Sequence, residues 1–127
     1  MSFESMGLPA PLMRGIADLG FVNATPIQEQ VIPTLISNSS DLVALAQTGT
    51  GKTAAFGLPL LSLIDIQQRN TQALVLCPTR ELCMQITRDI QAFGAHMPGL
   101  NVTAVYGGAS IQNQIRELNR GSQIIVA

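Results

Sequence analysis

The amino-acid sequence predicts an α/β sandwich built on a parallel sheet. Short segments rich in Val, Ile and Leu recur along the chain, and between them the apolar period lengthens from two to about 3.6 residues. Residues 42–46 and 73–77 are continuously apolar, the pattern of strands covered by helices on both faces. With 127 residues, 46% hydrophobic and 12% charged, the chain has the composition of one globular domain rather than a disordered tail.

The elements follow in order. Leu8, Leu12, Ile16 and Leu19 mark a first helix, and a second runs from Pro26 through Ile27, Val31 and Leu35, with Thr25 placed to cap it and Pro26 suited to its first turn. Residues 41–46 read as a strand, followed by a helix from Lys52 to Ile66 carrying Phe56, Leu60, Leu63 and Ile64. A strand at 72–77 precedes a helix striped by Leu82, Ile86, Ile90 and Phe93. A strand at 101–106 precedes one striped by Ile111, Ile115 and Leu118, and a last strand spans 123–127. Such alternation makes βαβ units with right-handed crossovers. A buried parallel strand normally leads into a further helix or loop, so a chain stopping at Ala127 is expected to be a fragment of its domain.

Other classes are disfavoured by the bulk properties. The start lacks the basic-then-apolar pattern of a signal peptide, and no apolar run approaches the ~20 residues of a membrane span. A soluble, cytoplasmic protein with no membrane partner is expected. Cys77 and Cys83 lack a second Cys or His pair, so they read as reduced packing residues, and three Asn-X-Ser/Thr patterns carry no weight without a secretory signal. A net charge of -1 supplies no field to draw in nucleic acid, so any polyanion must be held by local groups.

One segment carries chemistry. Ala46, Gln47, Thr48, Gly49, Thr50, Gly51, Lys52 and Thr53 follow a strand pattern and open a helical one, the setting a phosphate-binding loop needs. Gly49 and Gly51 allow a tight turn that brings backbone N–H groups close to phosphates. Lys52, the only lysine in the chain, adds a positive charge, the Thr53 hydroxyl is a Mg2+ ligand, and the helix N-terminus adds its partial charge. Ala46 stands where the generic pattern has its first glycine. A carboxylate at the end of an apolar strand, needed to organise metal and water, is missing: Asp65 ends a helical stripe, Glu81 and Asp89 belong to the next helix, and Asp41 begins a strand.

The flanking residues resemble the DEAD-box RNA helicases through almost the entire chain. Residues 46–53, Ala-Gln-Thr-Gly-Thr-Gly-Lys-Thr, are similar to that family's motif I, in which Ala is common at the first position. Gly20-Phe21-Val22-Asn23-Ala24-Thr25-Pro26-Ile27-Gln28 resembles the Q motif, with Phe3 at the spacing of the family's isolated upstream aromatic. Pro78-Thr79-Arg80-Glu81-Leu82 resembles motif Ia, and Gly107-Gly108 the glycine pair. Ala24 departs from the family's usual Pro, and the Asp-Glu-Ala-Asp motif, the Ser-Ala-Thr motif and the second RecA-like domain are absent from the chain.

The resemblance implies a RecA-like P-loop NTPase fold, a three-layer α/β/α sandwich with a mostly parallel sheet, of which residues 1–127 are the N-terminal portion of the first domain and 1–29 the Q-motif region. It implies ATP and Mg2+ as cofactors and RNA as partner. Phe3 would stack on adenine, Thr25 and Gln28 would form the adenine site, and Gln28 would read the base with one amide donor and one acceptor. Residues 46–53 would hold the phosphates, with Lys52 and Thr53 catalytic. Pro78, Thr79, Arg80, Gly107 and Gly108 would hold RNA backbone.

Without the family, Gln28 reads as an exposed helix-start residue, Phe3 as a core anchor, Arg80 as half of a surface ion pair and the glycine pair as a plain loop. The expected function is ATP-dependent RNA clamping and local unwinding, with this portion inactive alone. Another P-loop NTPase or kinase and a non-enzymatic nucleotide-binding module remain as alternatives, and exposed strand edges predict self-association.

Overall fold

A computed structural model of the chain describes residues 1–38, 40–47, 49 and 51–127. Five helices and three strands are present among them: α1 (Ala10–Asp18), α2 (Pro26–Ser37), α3 (Lys52–Leu63), β1 (Ala73–Val75), α4 (Arg80–Phe93), β2 (Val102–Ala104), α5 (Ile111–Asn119) and β3 (Ile124–Val126). A short 3-10 turn at Phe3–Met6 precedes them. The strands form one parallel sheet in the order β1-β3-β2. The class is α/β, as the alternating pattern requires.

The registers place Ala73, Ile124 and Val102 side by side, and likewise Val75, Val126 and Ala104. Neighbours in register share a face, and this one is the core face: Ile124 and Val126 have no exposed surface. Helix α4 covers it with Cys83, Ile86, Ile90 and Phe93, the stripe that the 3.6-residue period predicted almost unchanged. Leu12 and Ile16 of α1 pack into the same cluster. The approach of α1 to α4 depends on Gly15, where a Cβ would lie 2.1 Å from the Phe93 carbonyl oxygen.

Three expectations need correction. Residues 41–46 form no strand: no strand of the described residues pairs with them, and Val43 and Leu45 are each 90% exposed. An apolar run becomes a strand only where a neighbour accepts its backbone hydrogen bonds, and local sequence cannot supply that neighbour. The stripe chosen for α3 is its less buried side. The helix is apolar nearly all round, its core contacts are Ala54, Ala55, Leu58 and Leu61, and Leu63 is exposed. Phe56, Leu60 and Leu63 instead line a groove of about 580 Å³ along β1. Ile111, Ile115 and Leu118 of α5 are likewise exposed, and α5 has no buried residue.

On the second face of the sheet, Leu74 and the following Leu76 stand open, while Thr103 is buried against Ser122 through a hydroxyl–hydroxyl hydrogen bond. Cys77 and Cys83 are free thiols, and the Cys83 thiol donates to the Val126 carbonyl at 3.2 Å. No described helix is long and apolar enough to cross a membrane.

Candidate functional site

In the loop expected to hold phosphates, two glycines set the described backbone. Gly49 and Gly51 have φ of +79° and +83°, the left-handed region that costs an L side chain about 1–2 kcal/mol. Gly51 is the residue before α3, so the turn delivers the chain directly onto a helix N-terminus. There the first N–H groups lack intrahelical acceptors and the helix dipole favours an anion. Thr48 and Thr50, expected to contribute to this loop, lie outside the described residues. Gln47 is exposed and Ala46 half-buried.

Lys52 is exposed, and its Nζ donates to the Ala46 carbonyl at 2.8 Å, so the ammonium lies across the loop it belongs to. A triphosphate would replace this one neutral acceptor with several charged ones, the stronger partner for an ammonium. Thr53, one residue into the helix, is partly exposed and has the hydroxyl a divalent cation would take. Among the described residues no group of three or more His, Cys, Asp or Glu side chains gathers to hold a metal. Asp65 lies just after α3, where its carboxylate accepts from the Gln67 N–H and the Gln68 side chain, each at 3.0 Å. It is a turn residue.

Gln28 is 3% exposed, which excludes the exposed helix-start reading. Its Oε1 accepts from the Thr25 N–H at 3.0 Å and its Nε2 donates to the Gly51 carbonyl at 3.1 Å. The same carbonyl accepts from the Ala55 N–H at 3.1 Å, so both lone pairs of Gly51 are used. Thr25 and Gln28 have the pattern of a capping box, yet its halves are unequal: Thr25 Oγ1 is buried without a hydrogen-bond partner. A Cβ on Gly51 would stand 2.3 Å from Gln28 Nε2 and 3.2 Å from Thr25 Oγ1. Residues far apart in the chain thus meet at the phosphate loop.

Phe3 departs from its expected role. Its ring is 2% exposed in the core and stacks on Phe21, with centroids 6.1 Å apart. No face is left for an adenine, so in this conformation Phe3 is the core anchor of the first turn. The burial agrees with the core-anchor reading of Phe3 taken without the family, not with the adenine stacking that the resemblance implies. Phe21, at the outer side of the pair, is 36% exposed and also contacts Phe93.

A second cluster forms at the C-terminal ends of β1 and β2, which a parallel sheet brings to one side. Pro78, Thr79, Arg80, Gly107 and Gly108 are all exposed there. Thr79 caps α4, accepting from the Leu82 N–H at 3.2 Å, while its own O–H remains a donor. The Arg80 and Glu81 N–H groups have no carbonyl of their own helix to reach. Among the described residues Arg80 forms no ion pair. Its guanidinium carbon lies 4.9 Å from the ring centre of Tyr106, and a Cβ on Gly108 would lie 3.1 Å from Arg80 Nη1. The sequence reading missed Tyr106, whose partner is 26 positions away by number (106 − 80) and carries no local signal.

Two acids depart from ordinary behaviour near these elements. Burial, then the neighbouring Cys83, raises the pKa of the Cys77 thiol, and burial raises that of Asp89 against a smaller opposing effect of Arg88.

A family model described as DEAD/DEAH box helicase matches residues 25–127. The chain is 47% identical over 125 residues to a curated relative from Klebsiella pneumoniae, "ATP-dependent RNA helicase DeaD", covering 98% of the chain and 19% of that protein. It thus spans about a fifth of the length of the curated relatives it matches. Among solved structures, a DEAD box protein from Methanococcus jannaschii superposes with a TM-score of 0.92 at 35% identity, covering 99% of this chain and 34% of that one. Dbp5 from S. cerevisiae, bound to RNA and ADP BeF3, superposes with a TM-score of 0.83 at 30% identity, covering 98% and 31%.

Proposed function

This chain belongs to the DEAD/DEAH box helicase family, and from that premise we propose that it serves ATP-dependent RNA unwinding as the part that holds the nucleotide and one stretch of RNA backbone. Residues 1–127 would be the N-terminal portion of the first RecA-like domain, with the Q-motif region at 1–29. The observation that carries the reading is the pair of left-handed glycines, Gly49 and Gly51, opening directly onto α3 beside the only lysine.

In this role the N–H groups of the loop and of the first turn of α3 bind the phosphates, and Lys52 leaves the Ala46 carbonyl to neutralise the outer ones. Mg2+, when bound, supplies charge neutralisation between phosphates, and Thr53 would hold it. Gln28 orients the loop through Gly51, and its remaining amide donor and acceptor capacity serves adenine once nucleotide binding uncovers a side chain that is 3% exposed here. Arg80, the Thr79 hydroxyl and the amides at the start of α4 take RNA phosphates, and the glycine pair lets the strand approach closely. Likeness to Dbp5 bound to RNA and ADP BeF3 supports both ligands.

The chain alone binds nucleotide without turning it over, since it carries no carboxylate at the end of an apolar strand to organise metal and water. A cytoplasmic setting agrees with two free thiols. β1 lies at an edge of the sheet and leaves Leu74 59% and Leu76 76% exposed on the second face, which supports self-association of the chain. The experiment is a comparison of ATP and GTP binding by the wild type and Gln28→Ala. Preference for ATP that vanishes on substitution supports the reading. Equal affinities in the wild type sink it.

A further inference from the structure

We propose that Tyr106 is a positioning residue for RNA binding: it holds the Arg80 guanidinium by its face and so presents the guanidinium edge to a phosphate. The inference rests on the reading of Arg80 as an RNA-backbone contact. Arg80 is exposed, and an exposed arginine samples many rotamers, most of them unsuited to one phosphate. Here Cζ stands 4.9 Å from the Tyr106 ring centre, within cation–π range.

The geometry divides the work of the planar group. Attraction to the ring uses the face of the guanidinium, whereas its N–H donors lie in the plane, so stacking restrains the side chain without consuming a donor. An acidic partner would do the opposite. It would fix Arg80 by occupying the very donors a phosphate needs and would repel the phosphate as well.

Two neighbours hold the arrangement. Gln114 Nε2, from α5, donates to the Tyr106 carbonyl at 2.9 Å and ties down the backbone that carries the ring. Gly108 leaves room for the guanidinium, since a Cβ there would come within 3.1 Å of Nη1. Residues 106–108 therefore act on Arg80 as a unit, with a ring for its face and an empty flank beside its edge. Gly108 thus has a second role, to spare the arginine, besides admitting the strand.

The test is fluorescence anisotropy of a labelled oligouridylate titrated with the wild type, Arg80→Ala, Tyr106→Leu, Tyr106→Phe and the double variant Arg80→Ala/Tyr106→Leu. Tyr106→Leu should weaken binding about two- to five-fold, the range of an exposed cation–π contact, while Tyr106→Phe, which keeps the ring, restores it. In the Arg80→Ala background Tyr106→Leu should add nothing. Equal binding by wild type and Tyr106→Leu overturns the proposal while Arg80→Ala still weakens binding. A loss on Tyr106→Leu that persists without Arg80 overturns it too, because the ring then touches RNA directly. No effect of Arg80→Ala, or no binding by the wild type, overturns the RNA reading and this inference together. Thermal melts of each variant identify a loss of fold, and a binding loss in Tyr106→Leu that tracks its melting, with Tyr106→Phe unable to restore it, counts against the proposal.

Discussion

Gln28 Nε2 donates to the Gly51 carbonyl at 3.1 Å, joining the first turn of α2 to the residue that precedes α3. The residue expected to read the base is therefore also a brace for the loop proposed to hold phosphates. Replacing it should disturb both.

Gln28→Glu tests the brace through stability alone. The carboxylate keeps an acceptor for the Thr25 N–H but places a negative charge against the Gly51 carbonyl in a site 3% exposed. Stability should fall by about 1–3 kcal/mol, the scale of a buried polar group left without its partner. Chemical denaturation of the two proteins measures it, and an unchanged midpoint would mean that the Gly51 contact is not formed in solution.

Gly51→Ala should be worse than an ordinary helix-flanking substitution. Its φ is +83° and the new methyl would stand 2.3 Å from Gln28 Nε2, so either the turn or the brace must give way. The expected result is loss of ATP binding together with about 1–2 kcal/mol of stability from backbone strain alone. Near-wild-type ATP affinity in a folded Gly51→Ala protein would show that the left-handed turn is not needed.

Cys77 should react slowly with iodoacetamide at neutral pH. Its thiol is held above the ordinary cysteine range by burial and by Cys83, and only the thiolate is nucleophilic. Labelling should rise as pH passes above that range, traced by mass spectrometry of the Cys77 peptide. Rapid labelling of Cys77 at pH 7 in the folded protein would show a depressed thiol instead.

The open edge of β1 gives a prediction about association. Leu74 and Leu76 border the apolar groove beside α3, so Leu76→Lys should raise the concentration at which the chain self-associates. Sedimentation of wild type and variant decides it. A wild type monomeric at high concentration would remove the basis for the proposal.

Much of this was legible in sequence, for reasons that differ by element. The α4 stripe was readable because its polar face is distinct, whereas α3 is apolar nearly all round and periodicity could not tell its core side from its groove side. The loop and the start of α3 at Lys52 followed from glycine spacing, which dictates backbone conformation locally. The strand expected at 41–46 did not form, because pairing is a property of the neighbour and not of the run itself. In the site, Gln28 was found by its motif, but its burial was not. The Arg80–Tyr106 contact had no signal, since two turns of chain far apart in sequence meet only after the sheet has formed.

The account stands most directly on titration calorimetry of the chain with ATP and Mg2+, repeated on Lys52→Ala. Lys52 is exposed and bonded only to the Ala46 carbonyl among the contacts described, so its removal should leave the fold intact. The account predicts saturable one-site binding by the wild type and its loss in an equally stable variant. Wild-type affinity in Lys52→Ala, or no heat of binding in the wild type, would contradict it.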